Sequence, residues 1–146
     1  MINDAWYLVD LPGYGYAKQS RADRDAWAAF TQSYFVDRPS LACAFLLADG
    51  SVPPQAADVE AAAWLAEAGV PFGVVLTKAD KRKKGGPPPE ENVAAIKAAL
   101  LTELESLPPM WATSSVTGTG RQELLAYMSR LRQVVEAGLK EARRGG

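Results

Sequence analysis

The sequence has no histidine and a single cysteine, Cys43. The first absence removes Ser-His-Asp chemistry, Cys-His chemistry and histidine metal sites together. The second removes an internal disulfide and any cysteine-rich zinc site. Charge of neither sign dominates. The net value of -1 argues against a strongly basic nucleic-acid binder and leaves room only for a local basic patch. No apolar run is long enough to span a bilayer as a helix. The residues after Met1 show neither the charged-then-apolar pattern of a secretory signal nor an Arg- and Ser-rich transit composition. What is present is a chain of 146 residues, 48% hydrophobic, enough for one domain with a real core.

Four runs read as strands: residues 6–11, 41–48, 71–76 and 109–114. Three are nearly continuous in apolar residues, as in parallel strands covered on both faces, although a short buried helix has the same pattern. Helical spacing links Trp27, Phe30, Tyr34 and Phe35, behind a cap at Ser20 or Asp23. The alanine-rich stretch 54–68 stops at Gly69. Val93, Ile96, Leu100, Leu101 and Leu104 form one apolar face. Leu124, Met128, Leu131 and Val135 form another, in the last and longest helix.

Strands alternating with helices give an α/β domain with a mostly parallel sheet. Ligands of such sheets bind beyond the carboxyl ends of the strands. The segments there read DLPGYGYAK, DGSVPP, TKADKRKKGG and SSVTGTG. Residues 81–89, with four basic residues followed by glycines and prolines, form an exposed, mobile loop.

Three of these segments carry chemistry. In TKAD, the Asp80 carboxylate can accept from guanine N1–H and the 2-amino group, a donor pair that adenine lacks, and the stem of Lys78 can lie along the base. Alone, the run reads more simply as a turn with Asp80 as a helix cap. In SSVTG, backbone amides after a strand can meet a carbonyl such as guanine O6. Alone, it reads as a serine-rich cap. In DLPG, Asp10 can hold a hydrated magnesium ion, and Gly13 can bring its N–H close to a terminal phosphate. Alone, it reads as a strand-ending turn.

Their order is more specific than any one of them. DxxG, then TKxD, then a serine-rich turn, each behind an apolar strand, is the arrangement of a GTPase domain. The run DLPGYGYAK resembles a signature of the EngB-type (YihA-type) ribosome-biogenesis GTPases, in the TRAFAC class of P-loop proteins. The likeness covers essentially the whole chain. The segment PPMWATSSVTGTGRQELL is similar to the plant and algal branch, whose members serve organelles.

The resemblance implies a three-layer, Ras-like P-loop GTPase fold that binds GTP or GDP with Mg2+. It implies Asp10 as a magnesium ligand through water and Gly13 as the γ-phosphate amide. It makes Lys78 and Asp80, with Thr77 of the same motif, the guanine-specificity group, and sets Ser114 and Ser115 beside the base. No residue is assigned to catalysis. Tyr14 stands where many small GTPases place a glutamine, which implies slow hydrolysis stimulated by a partner. The implied role is assembly of the large ribosomal subunit, on its precursor, as a monomer and away from membranes. The compartment is a plastid or mitochondrion in a eukaryote and the cytoplasm in a bacterium.

One departure is large. A phosphate loop, GxxxxGK[ST], belongs before DxxG in such a domain. These residues contain no such motif, and only nine precede Asp10. The first switch is also missing. Met1 falls at the end of a family strand, with Asn3-Asp4 at the hairpin turn. The chain is therefore read as the C-terminal portion of an EngB-type domain over 1–146 with a tail at 143–146, lacking the first strand, phosphate loop and first switch. In the family's strand order the missing strand lies between the runs 6–11 and 41–49. The strand at 6–11 is then expected to be displaced, to pair directly with its neighbour, or to leave a cleft. The alternative is a non-catalytic fragment that docks on a partner or ribosomal particle without nucleotide, and a further one is an unrelated Rossmann-like module. Cys43 is expected in the core, and the four tryptophans mainly in packing. Tyr14, Tyr16, Lys81–Lys84 and the tail residues Lys140, Arg143 and Arg144 read either as plain surface or as contacts to ribosomal RNA.

Overall fold

The computed structural model describes residues 6–11, 13, 29, 33–35, 38 and 40–144. Three strands form one parallel sheet: β1 (Ala44–Asp49), β2 (Phe72–Thr77) and β3 (Met110–Ala112), side by side in that order. Three helices alternate with them: α1 (Ala56–Glu67), α2 (Pro89–Leu100) and α3 (Arg121–Arg144). This is the expected α/β class. β1 and β3 are shorter than their apolar runs, because only residues that find a ladder partner are held in the sheet, whereas β2 keeps the length of its run shifted by one residue.

The period of two divides the sheet's faces. Leu46, Ala48, Val74 and Leu76 share one face and are buried with Ala61, Ala62 and Leu65 of α1 and Ile96 and Leu100 of α2. The other face carries Phe45, Val75 and Trp111. There Tyr127 of α3 packs against Trp111 and Phe45, with ring centroids 4.6 and 6.3 Å apart. Gly73 lies on this face because Trp111 leaves no room, a Cβ there falling 2.7 Å from the ring. Helices thus cover both faces, the three-layer arrangement. Tyr127, a turn away from Leu124, adds an aromatic to the side of α3 that meets the sheet, which aliphatic spacing alone does not pick out.

Local chemistry sets the helix ends. Gly69, at φ +66°, follows α1, and its N–H donates to Ala66 O at 3.0 Å. That is the left-handed stop glycine allows. Pro89 opens α2, with Glu90 and Glu91 in its first turn, where a fixed φ and negative charge both suit a helix start. Leu101 is a correction: it follows the end of α2 and is exposed, whereas Leu104 packs on the core. Once the helix ends, the 3.6-residue period no longer places side chains.

Two further expectations fail. Residues 7–11 are not a strand, and Tyr7, Leu8 and Val9 are exposed. The described residues of the segment stand outside the three-stranded sheet, with Trp6 alone in an isolated bridge. Cys43 lies just before β1 and is half-buried rather than in the core. Of the tryptophans, Trp64 meets Phe35 at 6.2 Å and Trp111 meets Tyr127. Pro12, Tyr14, Gly15, Tyr16, Ser20, Asp23, Trp27 and Phe30 lie outside the described residues.

Candidate functional site

The carboxyl ends of the three strands lie at one edge of the sheet. Asp49 pairs in register with Thr77, and Leu76 with Ala112. Backbone and side-chain bonds then stitch the following loops together. Gly50 N donates to Thr77 O at 2.8 Å, and Thr77 Oγ1 donates to Ala48 O at 3.1 Å. Thr113 N and Thr113 Oγ1 donate to Leu76 O at 2.7 and 3.2 Å. Ala79 N donates to Thr113 O at 3.0 Å. That last bond sets the TKAD loop beside the SSVTG turn.

Within the TKAD loop, Lys78 is the one non-glycine residue with positive φ among the described residues, at 56°. Such a conformation costs an L-residue about 1–2 kcal/mol. Its ammonium meets Asp49 Oδ2 at 2.6 Å. The other carboxylate oxygen, Asp49 Oδ1, accepts from Ser51 N at 3.0 Å and Ser51 Oγ at 2.6 Å. Burial alone would raise this carboxyl, but the Lys78 and Ser51 hydrogen bonds outweigh it and hold it down at about 2. Asp80 is exposed and makes no ion pair among the described residues, so its carboxylate faces solvent with its acceptor capacity open.

The SSVTG turn is organised from within. Ser114 is buried, and its Oγ accepts from Val116 N at 3.2 Å and Thr117 N at 3.1 Å. Ser114 N donates to Thr119 O and Ser114 O accepts from Gly118 N. Ser115 is exposed at the tip. Gly118 and Gly120 have φ of +78° and +71°.

The candidate residues fall into two groups. Thr77, Lys78, Asp80, Ser114 and Ser115 come together on two joined loops. Asp10 and Gly13 are exposed, and among the described residues neither bonds to those loops. No group of three or more His, Cys, Asp or Glu side chains is placed to hold a metal among the described residues. Among the described residues, the two groups are thus not assembled into one site. Asp49 and Ser51 belong to the DGSVPP loop, which carries no motif of its own. Their signal in the sequence is position: the carboxyl end of a strand next to the TKAD strand. Lys81–Lys84 are exposed, as expected, with Arg82 Nε donating to Gly86 O at 2.9 Å. A groove of about 620 Å³ between α1 and α2, lined by Val59, Ala63, Trp64 and Ala99 among others, contains none of the candidate residues.

No family model matches the chain. Individual proteins do. The chain is 49% identical over 133 residues to a GTP-binding protein of Arabidopsis thaliana, covering 90% of this chain and 44% of that protein. It is 43% identical over 133 residues to the probable GTP-binding protein EngB of Porphyromonas gingivalis, covering 91% of this chain and 65% of that one. With the protein of the same description from Phocaeicola vulgatus, identity is 39% over 137 residues, covering 94% and 68%. The chain thus spans under half the length of the plant relative and about two thirds of the bacterial ones. Among solved structures, a probable GTP-binding protein EngB superposes with a TM-score of 0.61 at 19% identity, over 85% of this chain and 75% of that one. Translation elongation factor SelB of Methanococcus maripaludis superposes at 0.55 and 22% identity, over 84% and 24%. At these identities the superpositions speak to fold alone, and both agree with the α/β architecture described above.

Proposed function

The chain belongs to the EngB family of GTP-binding proteins, and from that premise we propose that it recognises the guanine base at the carboxyl ends of β2 and β3. The supporting observation is the bond from Ala79 N to Thr113 O, 3.0 Å, which sets Asp80 and the Ser114 turn side by side. Asp80 accepts from guanine N1–H and the 2-amino group. Lys78 lends its stem to the base plane, and Thr77 ties the loop to β1. The exposed Ser115 tip offers backbone amides to O6.

The phosphate half of the reading rests on resemblance. Asp10 would hold magnesium through water and Gly13 would face the γ-phosphate, the ion supplying charge neutralisation when bound. Among the described residues, neither Asp10 nor Gly13 bonds to the base loops. The same resemblance assigns a role in large-subunit assembly on the ribosomal precursor, as a monomer, in an organelle of a eukaryote or the cytoplasm of a bacterium. The exposed run Lys81–Lys84 supports an RNA contact, since clustered cations gain counterion-release affinity for phosphate backbones.

The test is a titration of GTP, GDP, ATP and xanthosine triphosphate against wild type and Asp80→Asn. A bidentate carboxylate contact is worth about 1–3 kcal/mol of base discrimination. Guanine nucleotides are expected to bind more tightly than ATP, with dissociation constants near millimolar, roughly 4 kcal/mol. GDP and GTP should be almost equal. Asp80→Asn replaces an acceptor with a donor beside position 2, so guanine weakens and xanthine is spared or gains. Equal ATP and GTP binding by wild type would remove the guanine assignment and favour docking without nucleotide.

A further inference from the structure

We propose that Asp49 is a positioning residue of the base site: it anchors the Lys78 ammonium and so holds the lysine stem in place along the base plane. The proposal rests on the guanine-site reading above and adds a residue to it from outside the TKAD and SSVTG loops.

The geometry divides the Asp49 carboxylate between two tasks. Oδ1 is occupied by Ser51, whose N–H and Oγ lie 3.0 and 2.6 Å away. Oδ2 is left to Lys78 Nζ at 2.6 Å. The backbone beneath is equally constrained. Asp49 is in register with Thr77, and Gly50 N donates to Thr77 O at 2.8 Å. Gly50 is packed so closely that a Cβ would sit 3.0 Å from Thr77 O. Anchor and lysine are therefore carried on two paired strand ends, one residue past the last register pair on β2. The left-handed conformation of Lys78, φ 56°, belongs to the same arrangement.

A free lysine stem samples many rotamers and loses them when a ligand orders it. A stem already tethered loses fewer, so the ligand binds more tightly without a new contact. Asp80 makes no ion pair among the described residues, so the two carboxylates act on different things. Asp80 reads the edge of the base. Asp49 acts through Lys78, whose stem meets the face of any purine. Loss of Asp49 should therefore lower affinity without changing base preference.

A double-mutant cycle on the full chain tests this, with GDP and ADP titrated against wild type, Asp49→Asn, Lys78→Met and the double variant. Methionine keeps an unbranched stem and removes the ammonium. Asp49→Asn is expected to weaken GDP by about two- to fivefold, the scale of a solvent-exposed ion pair. The GDP-to-ADP ratio should stay as in wild type. In the Lys78→Met background, Asp49→Asn should have no further effect. Two results overturn the positioning role while the base site stands: GDP affinity unchanged by Asp49→Asn, or an equal loss with and without the lysine ammonium, which would mean Asp49 only supports its own loop. A wild type that binds GDP and ADP alike overturns the base-site reading itself, and the positioning role falls with it.

Discussion

Gly120 joins the Ser114 turn to the first residue of α3, and replacing it with alanine should be among the most damaging small changes in the chain. Its φ is +71°, and a Cβ built there runs into the carbonyl oxygen of Ala112. That oxygen cannot yield easily, because Ala112 ends β3 and the next residue, Thr113, is tied to Leu76 O at 2.7 Å. Gly118, two residues earlier, is a built-in control. It has φ +78°, but a Cβ added at that position meets nothing within 4 Å. Both substitutions carry the left-handed penalty of about 1–2 kcal/mol. Only Gly120→Ala adds forced overpacking, about 1–3 kcal/mol more. Gly118→Ala should thus cost about 1–2 kcal/mol and Gly120→Ala about 2–5 kcal/mol, against a typical total of about 5–15 kcal/mol. Urea unfolding measures both as midpoint shifts at constant slope. If the two variants agree within about 0.5 kcal/mol, the scatter expected of independent sites, the close approach of Gly120 to β3 is not what the glycine is for.

Two other outcomes are open to direct measurement. The Asp49 carboxyl is held at about 2, below the ordinary unfolded value of about 3.9, so its ion pair adds stability above about pH 4 that fades as pH falls toward 2. With the Lys78 side chain 51% exposed, that contribution stays under about 1 kcal/mol; urea midpoints of wild type and Asp49→Asn should differ at pH 7 and converge toward pH 3, and a gap that widens on acidification contradicts the assignment. The chain of 146 residues, with no GxxxxGK[ST] motif, should hydrolyse GTP no faster than buffer with magnesium. A magnesium-dependent turnover that disappears in Asp10→Ala would show instead that Asp10 is in working position.

The sequence is legible where local pattern and tertiary partners agree. The alanine-rich stretch ending at Gly69 is a helix because its composition favours one and glycine ends it. The runs around 44–49 and 72–77 are strands because each finds a parallel neighbour. The run at 6–11 has as good an apolar pattern, yet no strand forms over 7–11. A strand is a property of a pair, and a single run cannot report whether its partner is there. Leu101 and Cys43 fail for a related reason: periodicity places side chains only while the element lasts. The Asp49–Lys78 pair is hidden differently. The two residues are 29 apart in sequence, and only the β1–β2 register brings them together.

The candidate site divides along the same line. The base loops need nothing from residues 6–13 among the bonds that shape them. The Ser114 turn is closed by its own hydroxyl and amides. The TKAD loop is fixed to that turn through Ala79 and Thr113 and to β1 through Thr77, Gly50 and Asp49. Each tie runs between strands that pair with one another. Among the described residues, Asp10 and Gly13 have no such tie to the three-stranded sheet. The proposed base loops are therefore tied together by the sheet itself, whereas Asp10 and Gly13 make no bond to them among the described residues. Parallel strands bring their carboxyl ends to one side, so a parallel pairing of residues 6–11 with β1 should carry the Asp10 carboxylate to the same sheet edge as Asp49 and Thr77, an outcome that a distance measured between spin labels on the two segments would check.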